Sequence, residues 1–276
     1  LDAVKAEQPD MHIHAFSPLE IWQGAATIKK PLKDYLQLLK AHGLGTLPGT
    51  AAEILDDEIR DIICADKIRT AEWLEVMETA HSIGLRSTAT IMFGHVEHYQ
   101  HWARHFLRLL DVQKRTGGFT EFVPLPFVAE EAPMYLKGRA RKGPTFREAV
   151  LMHAVARLVL SPHIKNIQAS WVKLGNRGVQ ACLAAGVNDL GGTLMNESIT
   201  RAAGATHGQE NSPENLDAMI IAANRQPKHR TTLYGEVETS HIAQSYNAPE
   251  LSPLVNDLTQ RTSRKSEQLI RVAVSA

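Results

Sequence analysis

Cysteine is nearly absent from the chain: Cys64 and Cys182 are the two among 276 residues. Each falls in a segment that reads as helix, far from the other, so this chain alone builds neither a disulfide framework nor a cysteine metal site. An excess of either charge is missing too, since 30 Lys and Arg balance 30 Asp and Glu. That balance argues against a partner held by bulk charge, whether nucleic acid or an anionic membrane. No apolar run approaches the ~20 residues that span a bilayer, and no charged-then-apolar leader opens the chain. The expectation is a soluble cytoplasmic protein. A starting methionine is also lacking, and Leu1 to Ala6 reads as the last turns of an amphipathic helix, as though the chain opened inside an element.

What is present suits one substantial core. With 43% hydrophobic residues, a domain of this size hides roughly three quarters of its unfolded surface. The 13 histidines are a surplus. Met11 to Phe16 alternates as a strand, with His12, His14 and Phe16 on one face, and Ser17-Pro18 ends it. Leu32 to His42 has helical spacing with Gly43 as its stop, and Leu44 to Leu47 is a short strand. Pro48-Gly49-Thr50 then turns the chain into Ala51 to Leu55, read as a helix N-terminus that directs backbone N–H groups toward a bound anion.

Thr70 to Gly84 is a helix with Trp73, Leu74, Met77 and Ala80 inward. It delivers the chain to Ser87–Glu97, a β-rich run that ends at Gly94 and then offers His95 and Glu97. In parallel α/β architectures ligands bind beyond the carboxyl ends of the strands, where such an exit lies. The alternative is an ordinary polar turn. His98 to Thr116 is helical, and Phe119 to Val123 is a strand closed by Pro124 and Pro126. The long loop from Leu125 to Gly143 has the length of a functional lid. Thr145 and Glu148 form a capping box opening a helix to Leu160. Ile164 to Trp171 reads as a strand, Gly178 to Ala185 as a helix, and Val187 to Gly192 as a last strand and turn.

Six alternations, each with room for a crossover helix, call for parallel strands. The expected fold class is α/β, a partial (β/α) TIM-type barrel of about six parallel strands. An eightfold barrel averages ~250 residues, so two units, ~60 residues, would be missing from the front. Ser212-Pro213-Glu214 starts a further helix. Residues 1–235 form the expected barrel and 236–276 a loosely packed tail with one helix.

Several segments resemble one family, the radical S-adenosylmethionine enzymes that make the deazaflavin FO, and within it the tyrosine-using half of FO synthase. They are His12-x-His14-Ala15-Phe16-Ser17-Pro18, Pro48 to Leu55, Gly94-His95-Val96-Glu97, Phe119 to Arg141, Ile167 to Gly175 and Asn188 to Glu197. The resemblance implies a barrel carrying a 4Fe-4S cluster that cleaves S-adenosylmethionine to a 5′-deoxyadenosyl radical. It implies transfer of a 4-hydroxybenzyl group from L-tyrosine to 5-amino-6-(D-ribitylamino)uracil, with the N-terminal FO synthase half or subunit as a possible partner. It puts the S-adenosylmethionine side at Thr50, Glu53, Gly94 and Glu97, Gly94 letting backbone approach the adenine. First-turn residues favoured by a helix dipole are the plain reading of the two glutamates.

Gln168, Ser170 and Asn188 offer uncharged hydrogen-bonding groups for a uracil and a ribityl chain, and Asp189 to Gly191 permits close backbone approach. Plain solvation is their alternative. His12 and His14 are substrate contacts, interior histidines or metal ligands. The last would suit an amidohydrolase-like hydrolase with Asp189 as a late ligand, but the other strand ends supply no histidine. Two departures stand out. The family's CxxxCxxC loop, three thiolates for the cluster, is absent, and Val128-Ala129 stands where a histidine and a methionine are expected. An incomplete, inactive fragment is therefore the rival reading.

Overall fold

The computed structural model describes residues 1–194, 199–208 and 210–249. The Met195-Asn196-Glu197 part of the resemblance and the tail beyond residue 249 lie outside the described residues.

Twelve helices and four strands follow one another in the described chain. A short α1 (Asp2–Glu7) precedes β1 (Ile13–His14), α2 (Pro18–Thr27), α3 (Leu32–Ala41) and β2 (Leu44–Leu47). Then come α4 (Asp57–Ile63), α5 (Thr70–Ser82), β3 (Arg86–Phe93), α6 (Tyr99–Thr116) and β4 (Phe119–Pro126). The remaining helices are α7 (Pro133–Leu136), α8 (Phe146–Leu160), α9 (Trp171–Ala184), α10 (Ile199–Ala202), α11 (Pro213–Ala222) and α12 (Thr239–Tyr246). The strands form one parallel sheet in the order β1-β2-β3-β4, as long helical crossovers require.

The expected fifth and sixth strands are reduced to single parallel bridges, Phe122 with Ile167 and Gln168 with Asp189. Their order and direction are as expected; their length is not. α9 starts at Trp171, directly after Ser170, which leaves the fifth segment no room to extend. Asparagine side chains stand in for ladder groups: Asn166 donates to the Thr120 carbonyl at 2.8 Å, and the Ile167 N–H donates to the Asn188 side chain at 2.9 Å. β4 in turn runs through both prolines, with Pro124 opposite Ile91 and Pro126 opposite Phe93.

The two faces of the sheet differ. Ala89, Ile91, Phe93, Phe122 and Ile167 are fully buried and meet Trp73, Met77, Phe106, Leu109 and Met152 of the covering helices in the main core. A smaller cluster joins Ile21, Leu36, Leu44, Leu47, Val76 and Ala80 under α2, α3 and α5. Along β4 and the two bridges, alternation turns Glu121, Gln168 and Asp189 to the opposite, polar face.

Two local expectations change. Residues 51–56 are not helical; Asp56 caps α4 by accepting from the Glu58 N–H, and the helix begins at Asp57. The buried Arg60 guanidinium explains why, because it donates to the carbonyls of Ala52 and Ile54 and, from Nε at 3.0 Å, to that of Ile68. Those oxygens have no helical partner to seek. Cys64 is the residue that ends α4 rather than one inside it, whereas Cys182 is within α9; both are buried.

Candidate functional site

Three groups of polar side chains gather the expected site residues, and they are distinct. At the carboxyl ends of β2 and β3 the chain folds two turns together. The Gly49 N–H donates to the Thr88 hydroxyl at 2.7 Å, and the Thr90 hydroxyl donates to the Gly49 carbonyl at 2.6 Å. Beyond it Thr50 is exposed, and Ala51 and Glu53 take left-handed φ values of 62° and 46°. The Glu53 carbonyl accepts from the Met92 N–H at 2.8 Å, which ties this turn to the exit of β3. Its carboxylate pairs with Lys67 at 2.7 Å.

Glu97 sits buried inside the second turn. It accepts from the Gly94 N–H at 2.5 Å, the His95 N–H at 2.8 Å and the Trp102 indole at 3.0 Å. Burial alone would raise its pKa; the donors from Gly94, His95 and Trp102 oppose burial, and the pKa lies below the ordinary value. His95 gives its Nε2 proton to the Met92 carbonyl while Nδ1 accepts from the Val96 N–H, so the ring is neutral, and burial lowers its pKa despite Glu97. The carboxylate of Glu97 is thus spent on the turn itself. Gly94 changes role as well: a Cβ there would collide with the Pro144 ring, so the group that approaches its backbone is this chain's own Pro144. Arg141 holds that loop down by donating its N–H to the His95 carbonyl at 3.0 Å and its guanidinium to Glu148 at 2.8 Å. A cavity of about 380 Å³ lies alongside, lined by His95, Glu97, Tyr99, Trp102, Arg141 and Glu148.

His12 and His14 make the second group. Nε2 of the first and Nδ1 of the second both lie 2.7 Å from the buried Thr46 hydroxyl. Burial lowers both pKa values, helped at His12 by Lys5 and at His14 by His12. No third ligand joins them among the described residues. The one set of three metal-type donors there, Asp56, Glu58 and His101, is engaged by Arg104, which pairs with both carboxylates at 3.1 Å.

The third group lies on the polar face. Gln168 donates to Glu121 at 2.9 Å; Tyr234 lies 2.8 Å from Glu121 and 2.9 Å from Asp189; Arg230 grips Asp189 through Nε and Nη2 at 2.5 and 3.0 Å. Asp189 also caps the Gly191 N–H at 2.7 Å. Gly191, at φ 73°, lies against the Gln168 amide, where a Cβ would come within 3.1 Å. Ser170 is half-buried at the start of α9. Asn188 does not join them. Its side chain accepts from Arg157 at 2.6 Å and from the Ile167 N–H, one residue out of phase with Asp189 and so on the other side of the chain.

Glu53 and Glu97 hold the turns at the β2 and β3 exits, whereas Asp189 belongs to the group around Glu121. Glu121, which Asp189 meets through Tyr234, lies five residues before the end of β4, roughly 16 Å along a strand. Glu121, Arg230 and Tyr234 escaped the sequence reading. A carboxylate between the aromatic residues of the Phe119 to Val123 strand was the available signal.

The geometry defines a parallel α/β protein whose polar groups lie at strand ends and on one sheet face. Comparison with known sequences makes this specific. Residues 116–242 match the family described as the CofH/MqnC C-terminal region. The chain is 50% identical over 258 residues to the FO synthase of Streptomyces avermitilis, which is 92% of this chain and 30% of that protein. It is 50% identical over 229 residues to the 5-amino-6-(D-ribitylamino)uracil--L-tyrosine 4-hydroxyphenyl transferase of Methanocaldococcus jannaschii, 83% of this chain and 64% of that protein. FO synthase of Mycobacterium tuberculosis matches at 50% over 232 residues. The chain is similar to FO synthases and to the tyrosine transferase over most of its own length. It spans less than a third of the length of the FO synthases it matches.

Proposed function

We propose that the chain is the tyrosine-using part of an FO synthase, a transferase that joins the 4-hydroxybenzyl group of L-tyrosine to 5-amino-6-(D-ribitylamino)uracil in the cytoplasm. The observation that carries this is the 50% identity to a protein named for that transfer, across 83% of this chain. The order of parallel segments, β1 to β4 followed by two bridges, supports a partial (β/α) barrel. Thr50, Glu53 and the Gly94 turn form the S-adenosylmethionine side in this reading. His12, His14, Gln168, Ser170, Asp189 and Gly191 face the substrates. Residues 1–235 make the barrel unit in this reading.

The family's 4Fe-4S cluster does not fit the residues present. It asks for three thiolates, and this chain has two cysteines, both buried, with burial pushing Cys182 up to about 12. What these residues supply is shape and hydrogen bonding, with Gln168 and the Asp189–Gly191 turn orienting an uncharged, polyhydroxylated substrate. The cluster ligands, in this proposal, come from a partner: an N-terminal segment or subunit of the longer relatives.

The test is to join the chain behind an upstream segment bearing the family's CxxxCxxC loop. Both forms are then reconstituted anaerobically with iron and sulfide. The joined form is expected to bind iron and, with both substrates and S-adenosylmethionine, to release 5′-deoxyadenosine, and the chain alone to do neither. Loss of both in the joined form would refute the assignment.

A further inference from the structure

The contacts around Tyr234 contain one proton too few. Its hydroxyl lies 2.8 Å from the Glu121 carboxylate and 2.9 Å from that of Asp189, yet a phenol has a single proton to donate. Asp189 is already served by the Arg230 fork and the Gly191 N–H. Glu121 receives the Gln168 amide, and Arg230 reaches it only at 3.5 Å. The groups facing Glu121 are Gln168, Asp189, Arg230 and Tyr234, so two carboxylates share one full positive charge in a buried place. Two ionised carboxylates around one phenol would leave an unshared acceptor pair, which is costly out of water.

The geometry points to a second proton on Glu121: its carboxylic acid donates to the Tyr234 oxygen, the Tyr234 hydroxyl donates to Asp189, and this pair positions Gln168 and Asp189 beside one another. The segment that brings Tyr234 in is built for the purpose. Tyr234 has a left-handed φ of 63°, a strained value for an aromatic residue. The Gly235 N–H donates to the Thr231 hydroxyl at 2.9 Å and the Thr231 N–H to the Gly235 carbonyl at 3.1 Å, closing the turn. The Arg230 guanidinium stacks 4.3 Å over the Tyr234 ring. The fifth and sixth segments share one bridge, and the side-chain chain Gln168–Glu121–Tyr234–Asp189 supplies the register that a longer ladder would. Burial, and then the Asp189 charge, raise the Glu121 pKa, and burial raises that of Tyr234, in keeping with two neutral groups. Glu121 and Tyr234 are positioning residues; their bearing on substrate rests on the transfer reading above, while the shared proton does not.

The experiment follows the Glu121 side-chain carboxyl by carbon NMR in the full chain, together with amide exchange of residues 230–235, across pH. The Glu121 carboxyl is expected to titrate well above an ordinary glutamate. Exchange from 230–235, corrected for its chemical pH dependence, should rise about tenfold per pH unit above that point. Glu121→Gln, which keeps a donor permanently, should hold exchange slow and flat at every pH, while Tyr234→Phe should open the turn at all pH values. A Glu121 carboxyl already ionised at pH 6 would overturn the proposal even if neither variant folds. So would a Glu121→Gln protein that opens with pH as the parent does. Neither outcome touches the transfer reading, whose test is iron and product.

Discussion

A Cβ on Gly49 would sit 2.6 Å from the Thr88 carbonyl oxygen and 2.8 Å from the Ala89 Cα, both backbone atoms of β3. Backbone inside a sheet cannot step aside as a side-chain tip can, so the Pro48–Thr50 turn would have to lift. That lift would break the two hydrogen bonds by which Thr88 and Thr90 hold Gly49. Gly49→Ala is expected to destabilise the protein by about 2 kcal/mol, in the range of other overpacking changes. Gly192→Ala is its control, since no atom lies within 4 Å of a Cβ there. Urea unfolding of the two variants checks this; equal midpoints would mean that the turn is not seated on β3. The same residue shows the limit of reading a glycine from sequence. Gly94 was legible as a site of close approach, but what approaches it is Pro144, fifty residues on, and no local pattern names that neighbour.

At the scale of elements, local signals held where they were strong. The Thr145–Glu148 capping box forms as spaced, with the Thr145 hydroxyl 3.2 Å from the Glu148 N–H and the Thr145 N–H 2.8 Å from its carboxylate. An identical device, Ser17 with Glu20 and proline at the first position, opens α2 and went unread, though Ser-Pro-x-Glu states it as plainly. The end strands failed for another reason. Ile164 to Trp171 has strand composition, but its backbone partners are decided by where α9 starts, and side chains of Asn166 and Asn188 take the missing ladder places. The site was legible in the same uneven way. Its strand-end turns were visible, whereas the Arg230–Tyr234 turn reaches Glu121 from 113 residues away in sequence. The loop before α8 offers a test of element coupling. Arg141 pins it to Glu148, whose pKa Arg141 lowers to about 2, and to the β3 exit through the His95 carbonyl. Arg141→Ala should speed amide exchange across residues 137–143 while leaving β3 and β4 protected. Unchanged protection in that variant would show that the backbone bond from the Arg141 N–H to the His95 carbonyl and packing hold the loop without the Glu148 pair.

For the whole molecule the surplus of histidine sets the response to acid. His81, His105 and His153 are packed between the helices and the sheet, and burial lowers their pKa values to about 4, about 3 and about 4. A second proton on His153 would sit on Nε2, which has no partner, and one on His105 would sit on Nδ1, which already accepts from the Leu55 N–H. In the unfolded chain the same rings titrate near 6.5. Between that value and about 4 the unfolded state therefore binds up to three protons that the folded state refuses, and stability falls as the pH falls. Each such proton contributes about 1.4 kcal/mol per pH unit, so three give a slope on the order of 4 kcal/mol per unit. That is a large fraction of a typical folding free energy. Glu121 works in the opposite direction, its raised pKa giving stability that is full below the ordinary carboxylate value and lost as pH rises, but it is one group against three. The urea midpoint should hold near neutrality and drop steeply from about pH 6 downward, well before most carboxylates protonate. His105→Gln should lessen that slope by about a third. A midpoint unchanged down to about pH 4.5 would mean that the three rings take up protons in place, and that water reaches them inside the core.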